Sequence, residues 1–374
     1  MNHCVKAVLA ASALIHTATP AFAAVELGEH AMLSAFGTTG LVVTDNDDVE
    51  YVRDGQPSGA TTDPEFKVDT NLGVQLNVNA TDWLSGTVQL LTQQRSEMNL
   101  DTEVEWAFLA VEPLDGLRLR AGRTALPMFM ISDTRNVGYA NNWVRPPDEV
   151  YGMALLHRLD GIDLSYRWSL GAGSLTLTAL AGESEMNTSG IEAEAKDVRG
   201  LTARWEGQVL TLRAGHVESE VELEPFGIPG GATDDYSFSN VGVIFDRDNL
   251  VAQAEYVQRR AEDYGQFADA DGWYVMGGYR IGDVLPYAIY SRTEPEEKSP
   301  AGQMSGEQST IAAGLRWDAF SAVAIKFQLD YVDTHGTPGI SFATPPLAQP
   351  LSVLDKAPVL DDVVVASVAI DFVF

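Results

Sequence analysis

One cysteine, Cys4, occurs in the 374 residues, and it lies at the very start of the chain. The rest has no disulfide, no thiolate nucleophile and no cysteine-based metal site. Histidine is nearly as scarce. Beyond residue 24 only His30, His157, His216 and His335 remain, in four separate segments. None stands beside a serine in a nucleophile elbow or in a His-Glu-x-x-His pair, so hydrolase chemistry has no visible triad. His157, in Leu155-Leu156-His157-Arg158, reads as a loop-packing residue. Basic residues are few: 24 Lys and Arg stand against 53 Asp and Glu, a formal charge of −29. Phosphate binding calls for a basic face, so a nucleic-acid partner is not expected. A hydrophobic content of 45% excludes an acidic disordered chain. No apolar run beyond residue 24 approaches 18 residues, so no membrane-spanning helix is expected. Phosphate-loop and dinucleotide fingerprints are lacking too; the glycines of Gly171-Ala172-Gly173 make a turn.

What is present begins with an export signal. Lys6 supplies a positive start, Ala7 to Ile15 is small and apolar, and Ala21-Phe22-Ala23 fits a cleavage site. Residues 1–23 are expected to be removed, leaving 24–374 as one domain.

The body of the chain alternates with period two, the pattern of a strand with two unlike faces. Leu72, Val74, Leu76 and Val78 interleave with Gly73, Gln75 and Asn77; Ile311, Ala313, Leu315 and Trp317 interleave with Ala312, Gly314 and Arg316. Sixteen such runs are counted, at 30–44, 69–79, 84–93, 102–112, 116–123, 160–169, 173–182, 198–206, 208–217, 236–246, 249–260, 272–281, 284–293, 307–317, 321–333 and 361–374. Seven short Gly/Asp turns alternate with eight long connections, near 45–68, 94–101, 124–159, 183–197, 218–235, 261–271, 294–306 and 334–360. Counting Met153–Leu159 as a strand would break this order.

The faces decide the class. One carries Leu, Val and Ala, with aromatics such as Trp168, Trp205, Trp317 and Tyr331 toward its ends; the other carries Gln, Asn, Thr, Gly and Arg. A soluble sheet turns its aliphatic face to a core. An apolar outer band with aromatic girdles and a polar interior belongs to a transmembrane barrel, and no sheet edge can face lipid, so the sheet must close. The expected fold is all-β, a transmembrane antiparallel β-barrel of about 16 strands with short periplasmic turns and long extracellular loops. Sixteen strands leave room for a water channel.

Two stretches carry a resemblance. The terminal Asp371-Phe372-Val373-Phe374 looks like a barrel's C-terminal aromatic strand, and LRLRAGRTALPMFMISDTRNVGYANNWVRPP, Leu117 to Pro147, is similar to an Arg-bearing strand feeding a third loop. On these residues the sequence resembles the Gram-negative outer-membrane porins, in particular the sixteen-stranded, usually trimeric type. The resemblance implies a passive diffusion channel for small hydrophilic solutes, not an enzyme, with 124–159 folded inside the lumen as the constriction. It also implies a homotrimer in outer-membrane lipid beside lipopolysaccharide, and insertion by the barrel assembly machinery through Phe374. A structural or adhesive barrel with a closed lumen is the alternative, and a barrel hydrolase a weaker one.

Charges are placed on that frame. The expected constriction comprises Arg118, Arg120, Arg123, Asp133, Arg135, Arg145, Asp148 and Glu149. Arg167, Arg204, Arg213, Arg280, Arg292, Arg316 and Lys326 are expected to form a basic lumen wall, because Arg on a lipid face costs roughly 2–4 kcal/mol at the midplane. The alternative is that wall acids such as Glu103, Glu105, Asp163, Glu255 and Asp330 neutralise them. A basic wall opposite Asp133, Asp148 and Glu149 would orient polar solutes in a transverse field and favour small anions or organic acids, although acidic outer loops oppose that preference. Leu126, Met128, Phe129 and Met130 are expected to anchor the loop, and Pro146-Pro147 to stiffen its return. No cofactor is expected. Asp45-Asn46-Asp47-Asp48 and Asp269-Ala270-Asp271-Gly272 offer oxygen ligands suited to Ca²⁺, but neither completes a calcium loop.

Overall fold

A computed structural model describes residues 24–53, 56–95, 99–154, 156–188, 191–225, 233–261, 269–295, 306–337, 339–344, 349–350, 360 and 362–374. The expected signal peptide, 1–23, lies outside the described residues.

The alternating segments form sixteen barrel strands: β1 (Ala31–Thr44), β2 (Asn71–Asn79), β3 (Leu84–Gln94), β4 (Leu100–Leu114), β5 (Leu117–Ala125), β6 (Arg158–Leu170), β7 (Gly173–Thr188) and β8 (Ile191–Glu206), followed by β9 (Leu210–Pro225), β10 (Thr233–Arg247), β11 (Leu250–Ala261), β12 (Ala270–Tyr279), β13 (Val284–Pro295), β14 (Gln308–Phe320), β15 (Val323–Asp333) and β16 (Val363–Val373). Each pairs antiparallel with the next, and β16 returns to β1 with Thr38 opposite Asp371. Phe374 completes the seam: its N–H donates to the Ala35 carbonyl at 2.8 Å, and its own carbonyl accepts from the Ala35 N–H at 2.6 Å. The sheet is a closed barrel with no long free edge, as hydrocarbon requires.

The outer face is aliphatic. Leu109, Ile162, Leu201, Val241, Ile311 and Leu329 are all more than half exposed, which in water would be a defect. Trp168, Tyr279, Trp317 and Phe320 ring the short-turn end, and Tyr256, Trp273, Tyr290 and Tyr331 ring the other, forming two aromatic girdles.

Several strands run longer than the sequence suggested. The expected connection at 183–197 is mostly strand, because β7 extends to Thr188 and β8 starts at Ile191. Glu218, Glu220, Glu222 and Glu224 likewise lie on β9 rather than in a loop. Val217-Glu218-Ser219-Glu220-Val221-Glu222 alternates like any strand, with Val217, Ser219 and Val221 buried inward. The charge density obscured the period.

Two connections build structure over the long-loop end. Glu50–Tyr51, Phe342–Thr344 and Gln349–Pro350 make a small antiparallel sheet from the first and last long loops. Tyr51 packs edge-on against Phe342 at 6.0 Å, within an apolar cluster with Val42, Val68, Val332 and Val363. The suggested calcium ligands have other work. Asp45 accepts the Val364 N–H at 2.8 Å, Asp269 accepts the Ala261 N–H at 2.8 Å, and Asp271 pairs with Arg260 at 2.9 Å. Among the described residues no group of three or more acidic, His or Cys side chains is placed to hold a metal.

Candidate functional site

The third long connection, residues 126–157, leaves the wall at Ala125 and returns at Arg158. It contains only a short turn of 3-10 helix, Gly138–Ala140, and one helical turn, Asp148–Tyr151, so most of its backbone groups need partners elsewhere. It lies inside the barrel and finds them on the inner wall. Leu126, Met128, Phe129 and Met130 are buried in one cluster with Trp143, Tyr151, Phe238 and Tyr274. Phe129 sits 4.6 Å from the Tyr151 ring and 5.3 Å from Phe238. Burying such a side chain stabilises by roughly 1.5–3 kcal/mol, which offsets the ordering of a long irregular segment.

Wall cations clamp the loop backbone. Arg213 donates to the Pro127 carbonyl at 2.6 Å, Arg204 to Met130 at 3.2 Å and Arg259 to Met153 at 3.0 Å. Arg316 holds the carbonyls of Tyr139 (2.9 Å) and Asn141 (2.7 Å), with its guanidinium over the Tyr139 ring. Lys326, wholly buried, donates to the Gly138 and Trp143 carbonyls at 2.7 and 2.8 Å and pairs with Asp371 at 2.7 Å. Gly138 is required here, since a Cβ would collide with Asp371 and Thr38.

Two buried carboxylates act as acceptors. Glu255 takes the Met130 N–H at 2.7 Å and the Tyr151 hydroxyl at 2.8 Å. Glu149 takes the Ser291 hydroxyl at 2.7 Å, the Gln308 amide at 2.9 Å and the Thr310 hydroxyl. Burial pushes the Glu149 carboxyl above its usual value, against those hydrogen bonds. Arg145, also buried, pairs with Asp69 at 2.7 Å and Asp330 at 2.8 Å, and also bonds Ser367. Burial raises the Asp69 carboxyl, but Arg145 and Arg53 outweigh it and hold the group below the ordinary carboxylate value.

This geometry corrects the expected charge layout. Asp148 accepts from the Tyr51 hydroxyl at 2.6 Å and from Ser341 at 3.1 Å, while Glu149 bonds neutral side chains, so neither faces the wall arginines across a gap. The wall cations hold loop carbonyls instead, because an irregular segment drawn into the lumen exposes more unpaired carbonyls than carboxylates. Asp133 alone of the three acids is exposed, in a cavity of about 570 Å³ on the short-turn side that Arg204 and Arg316 also line.

Placement on the wall also differs. Arg118 pairs with Glu112 at 3.5 Å beside the short turn, and the Nε–H of Arg120 is shared between the two Asp163 oxygens at 2.9 and 3.0 Å with Phe108 beneath it, so both are engaged by wall residues rather than by the loop. Their position was legible, since Arg118 stands only two residues after Gly116 of the Asp115-Gly116 turn. Arg123 and Arg292 have the parity of the outer face. Arg123 pairs with Asp160 at 2.6 Å, and Arg292 with Glu294 and with Glu307 at 2.8 Å. Both sit at the long-loop ends of their strands, above the apolar band, where an outward arginine is tolerated. Arg167 and Arg280 line the short-turn mouth, paired with Glu206 at 3.3 Å and Asp246 at 2.6 Å.

A narrow space remains beside the loop on its β1-to-β4 side. It encloses about 80 Å³ between loop residues 135–146 and the inner wall of β1 to β4. Four arginines line it, Arg53, Arg95, Arg135 and Arg158, against two carboxylates, Asp69 and Glu105. Arg95 pairs with Glu105 at 2.8 Å and Glu103 at 3.4 Å, Arg158 pairs with Glu103 at 2.5 Å, and Arg135 donates to His157 at 2.7 Å. The loop's Asn136 donates to Glu105 at 3.1 Å. Of these arginines only Arg135 was in the expected set. Arg53, Arg95 and Arg158 come from the first loop, the end of β3 and the start of β6, segments that meet only once the barrel closes. The available signal was weak: Arg95 follows the polar run Thr92-Gln93-Gln94 at the start of a long connection, and Arg158 opens the strand after the third loop.

A family model described as Gram-negative porin matches residues 10–339. No curated protein sequence matches significantly. Among solved structures, the outer-membrane OmpT of Vibrio cholerae aligns with a TM-score of 0.59 at 13% identity, covering 94% of this chain and 100% of that one. Salmonella typhi OmpF, solved with daunomycin, aligns at 0.60 and 15%, with 94% and 100% coverage. An anion-selective porin from Comamonas acidovorans aligns at 0.57 and 10%, with 92% and 100% coverage. At such identities these likenesses show the fold. The matched model spans nearly the whole chain, and the fold agrees: the chain belongs to the Gram-negative porin family.

Proposed function

We propose that this outer-membrane channel passes small hydrophilic solutes down their gradients with a preference for anions, filtered where the third loop meets β1 to β4. No bond is made or broken. The observation that carries the preference is the excess of four arginines over two carboxylates around the narrow space, in a chain whose overall charge is −29. In a confined, weakly screened passage, local charge sets ion preference more than distant loop charge does. Asp69 holds Arg53, Glu105 and Glu103 hold Arg95, Glu103 holds Arg158 and His157 holds Arg135, and the remaining positive potential meets the solute. The reading also includes a homotrimer, the assembly named for one form of the Vibrio cholerae OmpT, together with contacts to lipopolysaccharide and insertion through the terminal Phe374.

Planar-bilayer recording tests the filter. In a KCl gradient the reversal potential should carry the sign of anion preference, and Arg95→Glu with Arg158→Glu should move it toward the cation side. An unchanged potential in the double variant would remove the basic passage as the origin of selectivity. Insertion without stepwise conductance would remove the channel itself.

A further inference from the structure

We propose that the narrow passage contains a binding subsite for small hydroxylated carboxylates, the sugar-acid class, rather than accepting anions without distinction. This rests on the anion preference argued above and adds the chemistry of the ligand. Arg95 and Arg158 converge on the same Glu103 oxygen, at 3.4 and 2.5 Å, so their guanidinium groups are neighbours within the span of one carboxylate. The Nε–H of Arg95 is buried and donates to no protein atom. On the adjacent strand Asn71 borders the same space, and its buried side-chain oxygen accepts no hydrogen bond from the protein. Asn71 stands opposite Gln93, and Arg95 follows Gln93 by two residues, roughly 6.6 Å along the strand. A donor and an acceptor thus lie within reach of one small molecule.

Trp143, which borders the same space, adds a second unpartnered donor through its indole N–H, so the orphaned donors and the orphaned acceptor ask for different groups. An arginine N–H calls for an anion, whereas a lone amide oxygen calls for a donor. Chloride or an unsubstituted carboxylate answers the first and leaves the second unpaired. A carboxylate bearing hydroxyl groups answers both. Buried polar groups without partners are costly, so a ligand that completes them is favoured over one that does not.

The wall below continues the same chemistry. Past one apolar step, where Phe36 covers Gly73, the inner face of β2 and β3 carries a linked row of amides and hydroxyls. Gln89 donates to Gln75 at 2.7 Å, Gln75 to Asn77 at 3.2 Å, and Thr87 to Asn77 at 2.9 Å. The row carries no charge and has further donor and acceptor capacity. It suits the stepwise replacement of a polyol's hydration shell on the way to the short-turn side. Simple anions have no use for it.

The test compares gluconate with hexanoate, carboxylates of equal chain length that differ in their hydroxyls, as blockers of single-channel KCl current. Gluconate is expected to block at a concentration at least about tenfold lower, the scale of discrimination a site gains when it is built to bond a hydroxyl. Asn71→Leu should bring the ratio of the two blocking constants near one. Arg95→Gln should weaken both blockers alike and leave the ratio. If Asn71→Leu does not fold, judged by heat-modifiable gel mobility, Asn71→Ala takes its place with the same expectation. Equal block by both anions in an anion-selective wild type would overturn the subsite while leaving the preference intact. A cation-selective wild type would overturn both. A ratio untouched at position 71 would overturn the role of Asn71.

Discussion

Arg145 shows at the scale of single residues how the loop is kept in the lumen. Its guanidinium is nearly inaccessible, and Asp69, Asp330 and Ser367 occupy its donors, tying the third loop to the first loop and to β15 and β16. Buried pairs are strongly cooperative: losing one partner strands the other charge and costs about 3–5 kcal/mol. The pH consequence follows from Asp69. Its carboxyl is held below the unfolded value of about 3.9, so it contributes stability that is fully present above that value. The contribution is lost as pH falls through the depressed folded value. Glu149 acts oppositely. Burial raises its carboxyl, so its contribution is present below the unfolded carboxylate value and is lost as pH rises through the folded one. Thermal unfolding, followed by the gel shift between folded and unfolded barrel, should show the wild type weakening below about pH 4. Asp69→Asn should be less stable at neutral pH but flatter across the acid range. An Asp69→Asn profile parallel to wild type would show that Asp69 does not carry the linkage.

Among the elements, the third connection behaves as a small core laid against a wall. Its polar contacts fix where it sits, and its apolar contacts supply most of the holding energy. Phe129 is central, packed between Tyr151 and Phe238. Phe129→Ala should cost about 3–5 kcal/mol by leaving a cavity, and the loss should fall on the loop rather than the barrel. The barrel has its own ladder of backbone hydrogen bonds. The expected result is a barrel that still folds and inserts, with noisier and larger single-channel currents because the loop leaves its seat more often. Currents identical to wild type would show that the loop does not limit conduction. The long β7–β8 and β8–β9 hairpins stand beside the place where β5 and β6 end early, so the wall is uneven in height where the loop departs.

For the whole molecule, closure and solvent set the rules. The seam between β1 and β16 places Phe374 in the last pair of backbone hydrogen bonds, so the chain end is part of the sheet. The outer surface is built for hydrocarbon. Leu201 is 68% exposed on that surface, yet it is as much an interior residue as any core leucine once lipid surrounds it. Leu201→Arg, in the apolar band, should destabilise the inserted barrel by about 2–4 kcal/mol. Arg204, three residues on, is tolerated because it points inward to Glu206 and the Met130 carbonyl. Reversible unfolding in lipid vesicles measures the difference; a neutral Leu201→Arg would contradict the assignment of that face to lipid.

The sequence by itself determined the strand count, the alternation of short and long connections, and which face meets lipid. These follow from period-two patterning and turn chemistry, which act over a few neighbouring residues. It also marked the third connection as unusual through its apolar start and paired prolines. The tertiary structure alone decided which charges share a space. Arg53, Arg95 and Arg158 are distant in sequence and meet because the sheet closes and the loop turns inward. Arg213, Arg316 and Lys326, expected as open wall charges, became clamps on loop carbonyls for the same reason. Periodicity assigns a side chain to a face, which places Arg204 inside. Where the third loop packs on the wall the inner face is itself apolar, as at Tyr287 and Ile289 of β13, so the rule that the apolar face meets lipid put Arg292 on the wrong side. Pairing among inward charges depends on height along the barrel axis and on what fills the lumen, and no local pattern encodes either.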